Sequence, residues 1–224
     1  MRDNFHDELD DIGKRVLEMI NLVSVAMQRA TAALVDADLA LAEQVIGEDD
    51  RIDALRVELE DRAFTLIAQQ QPVATDLRVL IATTHLAGEL ERMGDLAHHV
   101  AKTARLRYPE LAVPSEARQI IGLMADVAHS LVTKVADVVA GRDVALAQAI
   151  EEEDDAMDAL LRKLFTLVLS PTWTRGREAA IDVTLLGRNY ERYADHAVSV
   201  ARRTVFIATG RRTVSSIGRP GRAG

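Results

Sequence analysis

The sequence contains no cysteine, which excludes disulfide frameworks, thiolate metal sites and cysteine nucleophiles. Proline and glycine are scarce, five and twelve among 224 residues, so there is little punctuation for a loop-rich fold. Aromatic residues make up only 4%, and the apolar set, 48% of the chain, is dominated by Ala, Leu and Val. That mixture packs well between helices and poorly between short strands. There is no Gly-rich phosphate loop and no Ser-His-Asp pattern on a strand-turn frame, so catalysis is not indicated. No apolar run approaches the roughly 20 residues needed to span a bilayer. The first residues, Met1-Arg2-Asp3-Asn4-Phe5-His6-Asp7-Glu8, lack the apolar core of a signal peptide, and a cytoplasmic location is expected. Basic residues are outnumbered, 27 against 35, for a formal net charge of −8. This argues against nucleic acid as a partner and favours cations or basic protein surfaces.

What the chain does carry is helical periodicity. Turn signals fall at Asp36-Ala37-Asp38, Gln71-Pro72, Tyr108-Pro109 through Pro114-Ser115, Gly141-Arg142-Asp143 and Ser170-Pro171-Thr172. They leave six segments of about 28 residues, rods of about 42 Å. In the third, Leu86, Leu90, Met93, Ala97, Val100 and Ala104 alternate spacings of four and three, the seam of a bundle helix.

The segments form a triplet written twice. Asp38-Leu39-Ala40-Leu41-Ala42 returns as Asp143-Val144-Ala145-Leu146-Ala147, and Glu48-Asp49-Asp50-Arg51-Ile52-Asp53-Ala54-Leu55 as Glu153-Asp154-Asp155-Ala156-Met157-Asp158-Ala159-Leu160. Phe64-Thr65-Leu66 returns as Phe165-Thr166-Leu167, one helical turn closer. Glu91-Arg92-Met93-Gly94-Asp95-Leu96-Ala97 returns as Glu191-Arg192-Tyr193-Ala194-Asp195-His196-Ala197. Four matches in one order imply duplication. The fold class expected is all-α, two tandem three-helix bundles: residues 1–108 form the first, 114–210 the second, and 211–224 a basic tail expected to be disordered. Halves of this size are marginal alone and should pack together.

Acidic residues recur at matching places in both halves. On a helical wheel with Leu90 at zero, Glu91 and Asp95 share a strip beside the buried seam, and His98 lies next to them. Glu191 and Asp195 occupy the same angles, with Val198 and Ser199 in place of His98 and His99. Asp49 stands one turn from Asp53, and Asp154 one turn from Asp158. Glu48 and Glu153 fall in phase with the apolar stripe, so each should need a neutralising partner, Arg92 or Arg192, a proton or a metal ion. Like charges one turn apart cost a helix about 0.2–0.5 kcal/mol, and a solvated face explains most single pairs. Their repetition on two helices of each half sets cation sites beside the solvated face as an equal reading. Oxygen donors suit Mg²⁺, Mn²⁺ or Ca²⁺, and iron or zinc enters if His98 joins. A di-iron oxidase bundle would want Glu-x-x-His on two helices, and Asp95-Leu96-Ala97-His98 has no counterpart in the second half. Trp173, after a helix-breaking proline, reads as a packing anchor.

The paired signatures beginning at Glu91 and Glu191, the upstream Glu48-Asp49-Asp50-x-x-Asp53 and Glu153-Asp154-Asp155-x-x-Asp158, and the junction Gln71-Pro72-Val73-Ala74-Thr75-Asp76-Leu77-Arg78 resemble the PhoU family of phosphate-transport accessory proteins. The resemblance covers residues 1–210. It implies a non-enzymatic, usually dimeric adaptor that represses the phosphate-starvation response when phosphate is plentiful. Such an adaptor works between the ATPase subunit of the phosphate ABC transporter and the sensor histidine kinase of a two-component system, and meets the membrane only through these partners. Metal ligation carries over onto Asp49 with Asp53, Glu91 with Asp95, Asp154 with Asp158, and Glu191 with Asp195, with Glu48, His98 and Glu153 as further candidates. The alternative reading of the residues is a carboxylate bundle with metal storage or redox activity.

Overall fold

The computed structural model describes residues 2–141 and 143–210, with side chains from residue 5 onward; the expected tail 211–224 lies outside the described residues. Six helices account for nearly all of them: α1 Arg2–Asp36, α2 Leu39–Gln70, α3 Ala74–Arg107, α4 Ser115–Gly141, α5 Val144–Val168 and α6 Gly176–Thr209. No strand occurs among the described residues. The all-α class stands as expected, and every turn signal read from the sequence marks a junction between two of these helices, with Asp36, Ser115 and Gly141 as terminal helical residues.

The repeated Asp-x-Ala-Leu-Ala motif has a local cause. Asp38 caps α2 by accepting from the Leu41 amide at 3.0 Å. Asp143 caps α5 by accepting from the Ala145 and Leu146 amides at 2.9 and 3.1 Å. A carboxylate at this position satisfies amides that the helix leaves without partners. At the C-terminal ends of α2 and α6, Gln71 and Gly210 adopt left-handed conformations, with φ of 47° and 71°, and return their amides to Ile67 and Phe206. That is the usual way of closing a last turn.

Helices α1, α2 and α3 pack on one another, as do α4, α5 and α6, and the two triplets meet where α3 lies on α6 and α1 on α4. The α3–α6 pair is antiparallel. Arg107 at the end of α3 pairs with Glu178 and Asp182 at the start of α6, Glu89 reaches His196 midway, and Arg78 near the start of α3 lies against Gly210.

The core runs without a break between the triplets. Tyr190 and Tyr193 of α6 are wholly buried yet reach toward α1, the first bonding Thr31 at 2.7 Å and the second donating to the Val23 carbonyl at 3.2 Å. A buried phenol needs such a partner, since an unmet hydroxyl costs about 1–3 kcal/mol. Close helix approach is set by small residues. A Cβ at Gly187 would lie 2.5 Å from Leu164 Cδ2, and one at Gly94 would lie 3.0 Å from Ile52 Cδ1. Trp173 packs partly against the core and ties down the α6 start by donating to the Gly176 carbonyl at 2.9 Å.

Candidate cation sites on two acidic ridges

Each triplet carries one acidic ridge, where its second helix lies beside its third. In the first, Asp53 of α2 faces Asp49 and the α3 residue Asp95. Burial foremost, then these two charges, pushes its carboxyl above the usual range. Glu91 is raised the same way, by burial and then by Asp95. In the second, Asp154 of α5 is half-buried beside Asp195, Asp158 and Glu191. Desolvation, followed by those three charges, pushes it up to about 7. Glu191 and Asp195 are also raised, burial again leading in both. The eight carboxylates singled out by the repeat therefore gather as two groups of four.

The ridges are not equally neutralised. In the first, His98 Nδ1 forms a short contact with Asp49 Oδ2, and Asp49 Oδ1 sits over Gly94, where a Cβ would be 3.6 Å away. Arg92 lies 3.6 Å from Glu91 and 3.7 Å from Asp95. In the second, buried Val198 stands where the first half has His98, so no imidazole meets Asp154. Arg188 bonds one oxygen of Glu191 at 2.6 Å, while Glu191 Oε2 is buried with no hydrogen-bond partner. An open groove of about 910 Å³ runs along this ridge, where Glu152, Asp154, Asp155, Asp158 and Asp195 outnumber Arg192 and Arg202.

Two expectations are corrected. Glu48 is not in the buried stripe: it is exposed and pairs with Arg29 of α1 at 3.0 Å. Glu153 likewise pairs with Lys134 of α4 rather than with Arg192. The reason is the drift of a straight helix against a strict four-three repeat. The buried row of α2 runs through Val45 and Ile52, so positions 48 and 49 straddle it, and the shorter Asp49 takes the inner side. His98, a further candidate ligand, has a half-buried side chain held by Asp49.

Sequence reasoning also missed the groove's far rim. Glu89 of α3 accepts from His196 at 2.7 Å and from Arg203 at 3.2 Å. Burial alone would raise its pKa, but these two partners outweigh that and hold it below the usual range. Arg202 pairs with Glu151 at 2.6 Å. His196 lay inside a repeated motif, but nothing in the sequence indicated that its partner would come from the other half.

The model of the PhoU domain matches residues 16–104 and again residues 121–204. The chain belongs to the PhoU family. It is 48% identical over 210 residues to the phosphate-specific transport system accessory protein PhoU homolog 2 of Mycobacterium tuberculosis, covering 94% of this chain and 99% of the relative. The homolog 1 protein of Mycobacterium leprae is 47% identical, over 94% of this chain and 95% of its own length. The crystal structure of PhoU from Pseudomonas aeruginosa superposes with a TM-score of 0.82 at 27% identity, covering 92% of this chain and all of that one. A Streptococcus pneumoniae PhoU structure shares the fold with a TM-score of 0.85 at 23% identity over 94% of this chain and 100% of that one. Each matched PhoU span contains one complete acidic ridge.

The ridges of this PhoU chain suit a hard cation by donor chemistry, since carboxylate oxygens dominate and one buried oxygen, Glu191 Oε2, lacks a partner. Among the described residues no three His, Asp or Glu side chains already stand in ligand geometry. Binding would therefore draw carboxylates together, which repulsion opposes in the metal-free chain. No helix among the described residues is long and apolar enough to cross a membrane.

Proposed function

We propose that this chain is a non-catalytic, cytoplasmic accessory regulator of phosphate uptake. When phosphate is plentiful, it represses the phosphate-starvation response by docking, as a homodimer, between the ATPase subunit of the phosphate ABC transporter and a two-component sensor histidine kinase. The observation that carries this reading is the 48% identity, over 94% of the chain and 99% of the relative, to a phosphate-specific transport system accessory protein. Likeness over that span takes in both ridges and the faces between the triplets.

In this reading the ridges hold divalent cations. Asp49, Asp53, Glu91 and Asp95 would hold one group, with His98 beside Asp49, and Asp154, Asp158, Glu191 and Asp195 the other. A bound cation would supply the positive charge that these carboxylates lack, and would tighten α2 on α3 and α5 on α6. The second ridge supports this most, because the push on Asp154 to about 7 reflects burial and crowded negative charge. Glu48 and Glu153 have basic partners already and stand outside the sites.

Deleting the gene should derepress phosphate-uptake genes in phosphate-rich medium, with restoration by the intact chain. Unchanged expression in the deletion strain would refute the regulatory reading. The alternative of a metal store or redox bundle predicts oxygen consumption or ferrous-iron oxidation by the purified protein, and the adaptor predicts neither.

A further inference from the structure

Arg78 stands in the first turns of α3 without the partner its counterpart enjoys. Its Nη2 donates to Thr75 Oγ1 at 3.0 Å, and its Nε is buried with no hydrogen-bond partner. Among the described residues no carboxylate pairs with it, whereas Arg107 at the opposite end of α3 is held by both Glu178 and Asp182. Counting back from Glu91 and Glu191, position 178 matches position 78, so the duplication sets a carboxylate in one half and a guanidinium in the other. The group facing Arg78 is the end of α6, where a Cβ on Gly210 would stand 2.1 Å from Nη1. That helix terminus offers only a partial negative charge. Residues 211–224, which follow Gly210 in sequence, include four arginines and no Asp or Glu, so they bring no carboxylate side chain.

Exposed apolar side chains lie at this end of the first triplet. Val73, just before α3, is 75% exposed, and Ile81, one turn beyond Arg78 on the same helix face, is 45% exposed. Phe64, 61% exposed, lies on α2 at the same distance from the α2–α3 turn as Ile81, about 10 Å along each helix axis. Exposed residues of this size at the same end of the molecule as a polar anchor are what interaction surfaces carry.

We infer that this end of the molecule, Arg78 with Phe64, Val73 and Ile81, is a docking surface for a protein segment that carries a carboxylate between apolar side chains. The planar fork of one arginine takes a carboxylate bidentately. A bilayer surface calls instead for a cluster of free cations, and among the described residues Arg202 and Arg203 of α6 are already engaged by Glu151 and Glu89. The inference stands on these side chains and does not depend on the partners proposed above.

The test is a photo-crosslinking amino acid placed at Ile81 in the cell of origin, with the same residue at exposed Asp137 of α4 as control. Crosslinked peptides are then sequenced by mass spectrometry. The expected product joins Ile81 to a segment of another protein with Asp or Glu flanked by apolar residues. Its yield should fall about tenfold in Arg78→Gln, as for loss of a desolvated charge pair, and also fall in Phe64→Ser, which leaves the arginine in place. Thermal melts of both variants should match the parent, which separates lost docking from lost folding. Products with lipid or with a second copy of this chain would overturn the inference. So would a yield no higher than at Asp137, or a yield unchanged in folded Arg78→Gln or Phe64→Ser.

Discussion

Replacing Asp154 with Asn should stabilise the metal-free protein at alkaline pH. In the folded chain this carboxyl titrates at about 7 instead of its ordinary 3.8. The folded state therefore holds a proton that the unfolded state releases between those values, and stability falls as pH rises through that window. Below about pH 4 both states are protonated and the penalty vanishes; above about pH 7 it is fully present and constant. A shift of this size sets a ceiling of about 4 kcal/mol. The group is only half-buried, and discounting for solvent screening leaves about 2 kcal/mol. Asn keeps the shape and discards the charge, so Asp154→Asn should raise the melting temperature at pH 8 in chelator by about 4–8 °C for a chain of this size. The gain should shrink steadily toward pH 4. Added Mg²⁺, Mn²⁺ or Ca²⁺ should stabilise the parent at pH 8 and close the gap. Scanning calorimetry from pH 4 to 8 reads both effects. A variant less stable than the parent at pH 8, or a gap that does not change with pH, would refute the reasoning.

Five further substitutions test the packing and the unequal ridges. Gly187→Ala places a methyl 2.5 Å from Leu164 Cδ2, and should cost about 1–3 kcal/mol by urea unfolding; the matched change Gly94→Ala, facing the more tolerant 3.0 Å contact with Ile52, should cost less. Arg107→Ala leaves Asp182, 9% exposed, without its cation, and should lower stability by about 2 kcal/mol or more in the same assay, whereas Arg92→Ala on the exposed rim should change it by less than about 1 kcal/mol. His98→Val copies the second half into the first and removes the contact with Asp49; it should lower stability by about 1 kcal/mol in the same assay, and an unchanged stability would show that the contact contributes nothing.

The helices, their ends and the duplication were legible because each rests on local sequence. Asp38 and Asp143 announce helix starts through their own side chains, and the four-three spacing of Leu86, Leu90, Met93 and Ala97 marks the buried face of α3. The acidic pairs were legible for the same reason, since i and i+4 on one helix are neighbours whatever the fold. Side-chain choices decided between helices were not. Whether Glu48 or Asp49 turns inward depends on Arg29 of α1 and on the bare backbone at Gly94, both remote in sequence. The bridge from Glu89 to His196 joins residues far apart in the chain. The pairing of Arg107 with Asp182, and the want of any such pairing at Arg78, follow from the antiparallel crossing of α3 and α6, which no periodicity encodes.

Native mass spectrometry of the metal-free protein titrated with Mn²⁺ tests most directly whether duplicated ridges bind cations. Two independent increments of bound metal are expected, one abolished by Asp154→Asn with Asp195→Asn and the other by Asp53→Asn with Asp95→Asn. Equal uptake by the parent and both double variants, or no uptake at all, would contradict the account.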